Sequence, residues 1–285
     1  MPQILKVKKN QLIVTVGGIL LFSALFFFGR TVSNQKKKQS TAPTQQIAAL
    51  NFPELLIKEK AKLSTVRLIY LNALESSLKN NSKEEQIHIY HQLANFWKDT
   101  VAVFEPYVFY TAEAAKLDNS EKSLTFAAQL FIDNLFDEAD PAKQNWLATT
   151  GKVLLEKALA INPNNDSTKI GIGACYMLSN ISENPMQGIL EVKEIADKNP
   201  DNLYAQWVLA LGGRKSGQYD KAAERFLIIV KKQPTNLIAI LHLAECYELN
   251  NEKTEAIKWY KLVQTMVPSP EAKKEIQERI EQLQH

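Results

Sequence analysis

The chain has 285 residues, of which 23% are charged and 45% hydrophobic, ordinary values for a globular protein. Its net charge of +3 is unevenly spread: residues 1–50 hold seven Lys or Arg and no acid, leaving 27 of the 34 basic side chains against all 31 acids for the rest. The basic excess therefore belongs to the N-terminal tail. With no basic patch interleaved with aromatics further on, a nucleic-acid partner is excluded.

Residues 1–10 form a short basic tail carrying Lys6, Lys8 and Lys9. Residues 11–29 are uncharged throughout. At about 1.5 Å per residue this stretch reaches about 28 Å as a helix, close to the hydrocarbon thickness of a bilayer. It lacks the polar stripe of a soluble helix and is expected to be a transmembrane helix in contact with lipid. A cleaved signal peptide is the competing reading. Its apolar middle would be unusually long, and it ends in Phe26-Phe27-Phe28-Gly29-Arg30 with no small-x-small site close behind. Positive charges flank both ends, so the orientation signal is nearly balanced. The short tail favours a cytoplasmic N-terminus with the body outside. Residues 30–50, with Lys36–Lys38, read as a flexible basic linker whose lysines either stay solvated or rest on anionic head groups.

From residue 51 onward an all-α body is expected, because strand alternation is absent and no glycine falls between Gly29 and Gly151. Residues 51–120 make a helical N-terminal part with one degenerate repeat. Pro53 starts one long helix to about Lys79. Ser82 and Glu85 form a capping box for a helix over 83–99, and a third helix runs from Glu105-Pro106 to about Leu117. Two further helices are predicted over 121–136 and 141–160.

Segments in the C-terminal half end at Pro163, Pro200, Pro234 and Pro268, the last three 34 residues apart. At that spacing Leu209 matches Leu243, Ala210 matches Ala244, Ala222 matches Ala256 and Phe226 matches Tyr260. The small alanines let the two helices of a hairpin approach closely. Phe226 fills the gap toward the next hairpin, Gly217 makes the tight turn, and Pro234 stops the second helix. In this order the residues resemble the tetratricopeptide repeat (TPR) family over 121–268, less closely over about 169–200, where Gly188 replaces an expected alanine, and less closely again over 121–163, where Ala127, Ala128, Phe131, Ala158 and Pro163 carry the match. Residues 269–285 are a capping helix with Ile276, Ile280 and Leu283 on its apolar stripe. Cys175 and Cys246, in different repeats, read as small core residues.

The resemblance implies an all-α, TPR-type helical-hairpin solenoid that binds a protein or peptide through a concave groove. Helical phase puts Tyr204, Trp207, Leu211 and Arg214, then Ile238, Leu241, Glu245 and Glu248, on that groove. For Tyr204 and Trp207, packing against the neighbouring hairpin is an equal alternative. Chaperone-tail receptors of this family need Lys and Asn where Trp207, Leu211 and His242 stand, which argues against that subtype. No phosphate-cradling loop, nucleophile motif or metal-ligand spacing occurs, and His88 and His91 lack a third ligand, so no cofactor, metal or catalysis is expected. A basic tail, one span and an outer TPR body resemble bacterial inner-membrane TPR proteins, implying a tethered adaptor of the cell envelope. The alternative is an assembly factor that self-associates as a homo-oligomer.

Overall fold

The computed structural model of the protein describes residues 50–179, 181 and 185–285. The basic tail, the span expected over 11–29 and nearly all of the linker lie outside them. Among the described residues there are thirteen α-helices and no strand: α1 Phe52–Lys60, α2 Thr65–Ser77, α3 Lys83–Asn95, α4 Phe104–Asp118, α5 Glu121–Leu135, α6 Pro141–Ile161, α7 Asp166–Leu178, α8 Pro185–Lys198, α9 Leu203–Lys215, α10 Tyr219–Lys232, α11 Leu237–Leu249, α12 Lys253–Met266 and α13 Pro270–Gln284. None of them is long and apolar enough to cross a membrane. Consecutive pairs from α3 to α12 pack as five hairpins, and α13 closes the last. The first helices α5, α7 and α9 lie side by side, so the array is a solenoid in which hairpins stack on their neighbours.

The repeat period has a local cause at each junction. Pro163, Pro200 and Pro234 are each followed two residues later by an asparagine that caps the next helix. The Oδ1 atoms of Asn165, Asn202 and Asn236 accept hydrogen bonds from the third helical N–H at 3.1, 3.1 and 3.0 Å. Each cap is worth about 1 kcal/mol and fixes where the helix begins. Inside the last two hairpins the tight turn places Gly217 (φ 76°) and, 34 residues on, Asn251 (φ 62°) in the left-handed region. Glycine and asparagine are the residues that tolerate it.

Two expectations for the N-terminal part are corrected. The long helix expected from Pro53 to Lys79 is broken into α1 and α2. Ser64 caps α2 through Arg67 N at 3.5 Å, and the break folds α1 back so that Lys60 pairs with Glu75 at 2.5 Å. Glu75 also accepts from the Tyr110 hydroxyl at 2.6 Å, tying α1 and α2 to α4. The helix expected over 83–99 stays α-helical only to Asn95. It continues as a π-helical turn, Phe96–Val101, that ends at Ala102 with φ 58°. The wider turn lets the adjacent Phe96 and Trp97 both be buried.

The interior is divided along the array. Leu71, Ile89, Leu93, Phe96, Trp97 and Tyr110 form an N-terminal cluster. A large central cluster runs from α4 to α12, with Phe131, Leu154, Ile170 and Phe226 fully buried. Ala244, Ala256, Tyr260 and Ile280 seal the far end, with Ile276 and Leu283 of α13 packed beside them. Cys175 and Cys246 are both free and buried. Burial pushes their thiols up to about 12 and about 11, so both are inert packing groups at neutral pH.

Candidate functional site: a cleft on the first helices

The first helices of four successive hairpins converge on one cleft of about 270 Å3. Its lining includes Gln129, Ile132 and Asp133 of α5, Phe136 just past its end, Leu178 of α7, Tyr204, Trp207 and Leu211 of α9, and Ile238 and His242 of α11. Tyr204, Trp207, Leu211 and Ile238 are thus brought together, as their helical phase implies. Ile238 is 59% exposed at the rim. Trp207 is half-buried and packs edge-on against Phe226, with ring centroids 5.5 Å apart. It is both wall and packing residue. The Tyr204 hydroxyl is buried without a hydrogen-bond partner among the described residues. Burial pushes it well above the usual tyrosine range.

The winding of the array narrows this face. Phe136, at the C-terminal cap of α5, meets His242 of α11 edge-on at 5.7 Å, although the first helices of two other hairpins come between them in sequence. The Arg214 guanidinium lies 5.4 Å from the Phe136 ring centre, and its Nη2 is 2.8 Å from Glu245 Oε2. Its Nη1 is 2.8 Å from His242 Nδ1, which is itself 3.1 Å from Glu245. Arg214 can only donate, so it and Glu245 compete for the same imidazole nitrogen. What remains is a compact cleft bounded at one end by this cluster.

The other residues expected on the groove stand elsewhere. Arg214 and Glu245 form the clamp at one end of the cleft. Leu241 is partly buried between the central and C-terminal clusters. Glu248 faces the cap: it accepts from the Tyr260 hydroxyl at 2.8 Å and from Arg279 Nε at 2.9 Å. Sequence reasoning missed the α5 wall. The signal was present, since Gln129, Ile132, Asp133 and Phe136 recur at helical spacing on the first helix of an earlier hairpin. Only the winding reveals that this wall faces α11.

Burial alone would raise the Glu245 carboxyl, but the His242 contact and the Arg214 guanidinium together hold it below its ordinary value of 4.5. A depressed carboxyl contributes stability above its unfolded pKa and loses it as pH falls through the folded one. Glu245→Gln is therefore expected to be less stable than the parent at pH 7. The difference should shrink as pH drops below about 4.5. Urea denaturation of both proteins across pH 3–7 measures this, and a pH-independent gap would refute the clamp.

Among the described residues, no group of three or more His, Cys, Asp or Glu is placed to hold a metal ion. No protein-family model and no curated protein matches the chain. Among solved structures, a tetratricopeptide repeat protein from Parabacteroides merdae aligns over 81% of this chain and 86% of its own, with a TM-score of 0.52 at 14% identity. MamA aligns over 64% of this chain and 92% of its own at 18% identity, with a TM-score of 0.41. YrrB, described as a TPR protein with an unusual peptide-binding site, aligns over 72% and 98% at 15% identity, with a TM-score of 0.40. The first of these fixes the fold class: the described body is a TPR-type helical-hairpin solenoid, all-α. At this identity the likeness concerns the fold alone.

Proposed function

We propose that this protein is a non-catalytic, membrane-tethered scaffold that holds another protein by taking one of its apolar side chains into the cleft. The observation that carries this reading is the cleft itself. Exposed Ile238, half-buried Trp207 and the unpartnered Tyr204 hydroxyl converge from different hairpins on a space open to solvent. An aromatic-walled pocket of this kind is where binding energy concentrates, while Asp133 at its edge suits a cation beside the anchor. Tethering through 11–29 would keep the scaffold in a thin shell at the bacterial inner membrane, N-terminus in the cytoplasm and solenoid outside, and raise its effective concentration toward membrane partners.

The test is peptide selection by display against the full chain, followed by Ile238→Glu and Trp207→Ala. Selected peptides should lose about tenfold or more in affinity on either change. Ile238→Glu should leave thermal melting unaltered because the side chain is exposed. Peptides that bind both variants as well as the parent would sink the cleft assignment. Fusion of a compartment-sensitive reporter after His285 tests the orientation.

A second reading is favoured by one specific feature. Val66, Ile69 and Tyr70 make an exposed apolar stripe on α2, with Val66 77% and Ile69 64% exposed. Self-association through this edge would make the protein an assembly factor. A concentration-dependent sedimentation coefficient that Ile69→Glu abolishes would support it, and a monomer at all concentrations would remove it.

A further inference from the structure

A larger pocket lies on a different face of α9 from the cleft. It has a volume of about 430 Å3, inside the range of small-molecule sites, and opens between the hairpins α7–α8 and α9–α10. Its apolar surface comes from Met177, Met186, Ile189 and Leu209, and the backbone of Gly212 and Gly213 forms part of the wall. Four cations, Lys193, Lys215, Lys221 and Arg225, line it, and among the described residues no carboxylate does. Lys193 pairs with Asp197 at 3.1 Å and Lys221 donates to Gln218 at 2.9 Å, both at the exposed rim.

The other two cations, exposed Lys215 and half-buried Arg225, have only neutral hydrogen-bond partners among the described residues. Lys215 donates to the Leu178 carbonyl, and Arg225 Nη1 donates to the Gln206 side chain at 2.8 Å. Two N–H groups on the ammonium and four on the guanidinium therefore remain for a ligand. Burial lowers both groups from their ordinary values, a penalty that an incoming anion relieves.

We propose that this pocket is a second ligand site, independent of the cleft, for a single-chain anionic amphiphile. The carboxylate head lies among Lys215, Arg225 and the rim lysines, and the alkyl tail rests on Met177, Ile189 and Leu209. The apolar wall is suited to a chain without shape of its own, since methionine side chains adapt to what they contact. An acidic peptide fits less well. Among the described residues Gln218 is the one amide side chain in the lining, and Ser216 and Lys221 already engage it, which leaves it poorly placed to fix a peptide backbone.

The experiment is photolabelling of the purified full chain with a diazirine-bearing dodecanoate, with adducts mapped by mass spectrometry. Adducts are expected on α7–α10 at Met177, Met186 or Ile189. Excess dodecanoate should suppress them and dodecanol should not. The double variant Lys193→Glu, Lys221→Glu should lower labelling roughly fivefold or more, because reversing rim charges repels the head group. Both side chains are exposed, and circular dichroism melting serves as the fold control. Ile238→Glu should label like the parent, so failure of the cleft reading leaves this one standing. Labelling mainly elsewhere in the chain, equal suppression by dodecanol, insensitivity to the double variant, or displacement by a Glu-rich decapeptide as effective as dodecanoate would each overturn it.

Discussion

Phe226→Ala is expected to destabilise the solenoid by about 3–5 kcal/mol, the usual cost of removing a fully buried aromatic ring. Phe226 has no exposed surface, and it sits where two hairpins meet. Its ring packs edge-on against Trp207 at 5.5 Å and lies 5.3 Å from the His242 ring. The second helix of one hairpin is thereby locked to the first helix of the next. Loss of the ring leaves a cavity at a seam and weakens the coupling between neighbours, on which an array depends. For a body of this size the melting temperature should fall by about 6–20 °C. The denaturation curve should also broaden, as α11–α13 begins to open separately from the rest. A fall of less than about 1 kcal/mol would show that the seam collapses around the gap and that Phe226 is not its keystone.

Gly173→Ala should also be strongly unfavourable, although alanine is the better helix former by about 1 kcal/mol. A Cβ at Gly173 would stand 2.3 Å from Val192 Cγ2 and 3.0 Å from the Gly188 carbonyl oxygen. Val192 is fully buried and β-branched, so it has little room to turn aside. Across the crossing, a Cβ at Gly188 would meet Tyr176 Cβ at 2.9 Å and Gly173 Cα at 3.2 Å. The helices α7 and α8 therefore touch backbone to backbone, and overpacking there costs about 1–3 kcal/mol beyond the gain in propensity. Gly213→Ala supplies the contrast. Its added methyl would meet nothing closer than 3.4 Å, so the same substitution is expected to be neutral or stabilising by up to about 1 kcal/mol. Thermal melting of the two variants side by side settles the comparison; equal effects would mean that α7 and α8 separate easily.

This crossing also shows what was and was not legible in the sequence. The last hairpins could be read because their determinants are local and periodic. Ala210, Ala222, Phe226 and Pro234 stand at fixed offsets, and each offset corresponds to one packing requirement. On sequence alone Gly188 is a departure from the repeat pattern in α8, because one chain position cannot reveal that Gly173 faces it. The break at Ser64 was hidden for a related reason. Leu56, Leu63 and Val66 keep a helical spacing across it, and only the Lys60–Glu75 pair and the packing of Leu63 show that the chain turns back. In the cleft, the α9 residues and Ile238 followed from helical phase. Phe136 did not, since its meeting with His242 is set by the accumulated rotation of the intervening hairpins. Glu248 shares the phase of the groove, but the cap helix offers it Arg279 and Tyr260, a stronger electrostatic partnership than water.

The asparagine that follows Pro163, Pro200 and Pro234 has one more consequence, which concerns how such a chain can change its length. The hairpin α9–α10 begins with its own start signal at Asn202 and ends with its own stop at Pro234, so the 34-residue segment carries its boundaries with it. Duplicating α9–α10 inserts a step whose two faces already fit the units on either side, because those faces derive from the same seam. The closing helix α13 needs to match only the last unit. Length in this protein is thus a variable that tandem duplication can adjust without redesigning either end, and the span of the solenoid can evolve separately from the side chains on its faces.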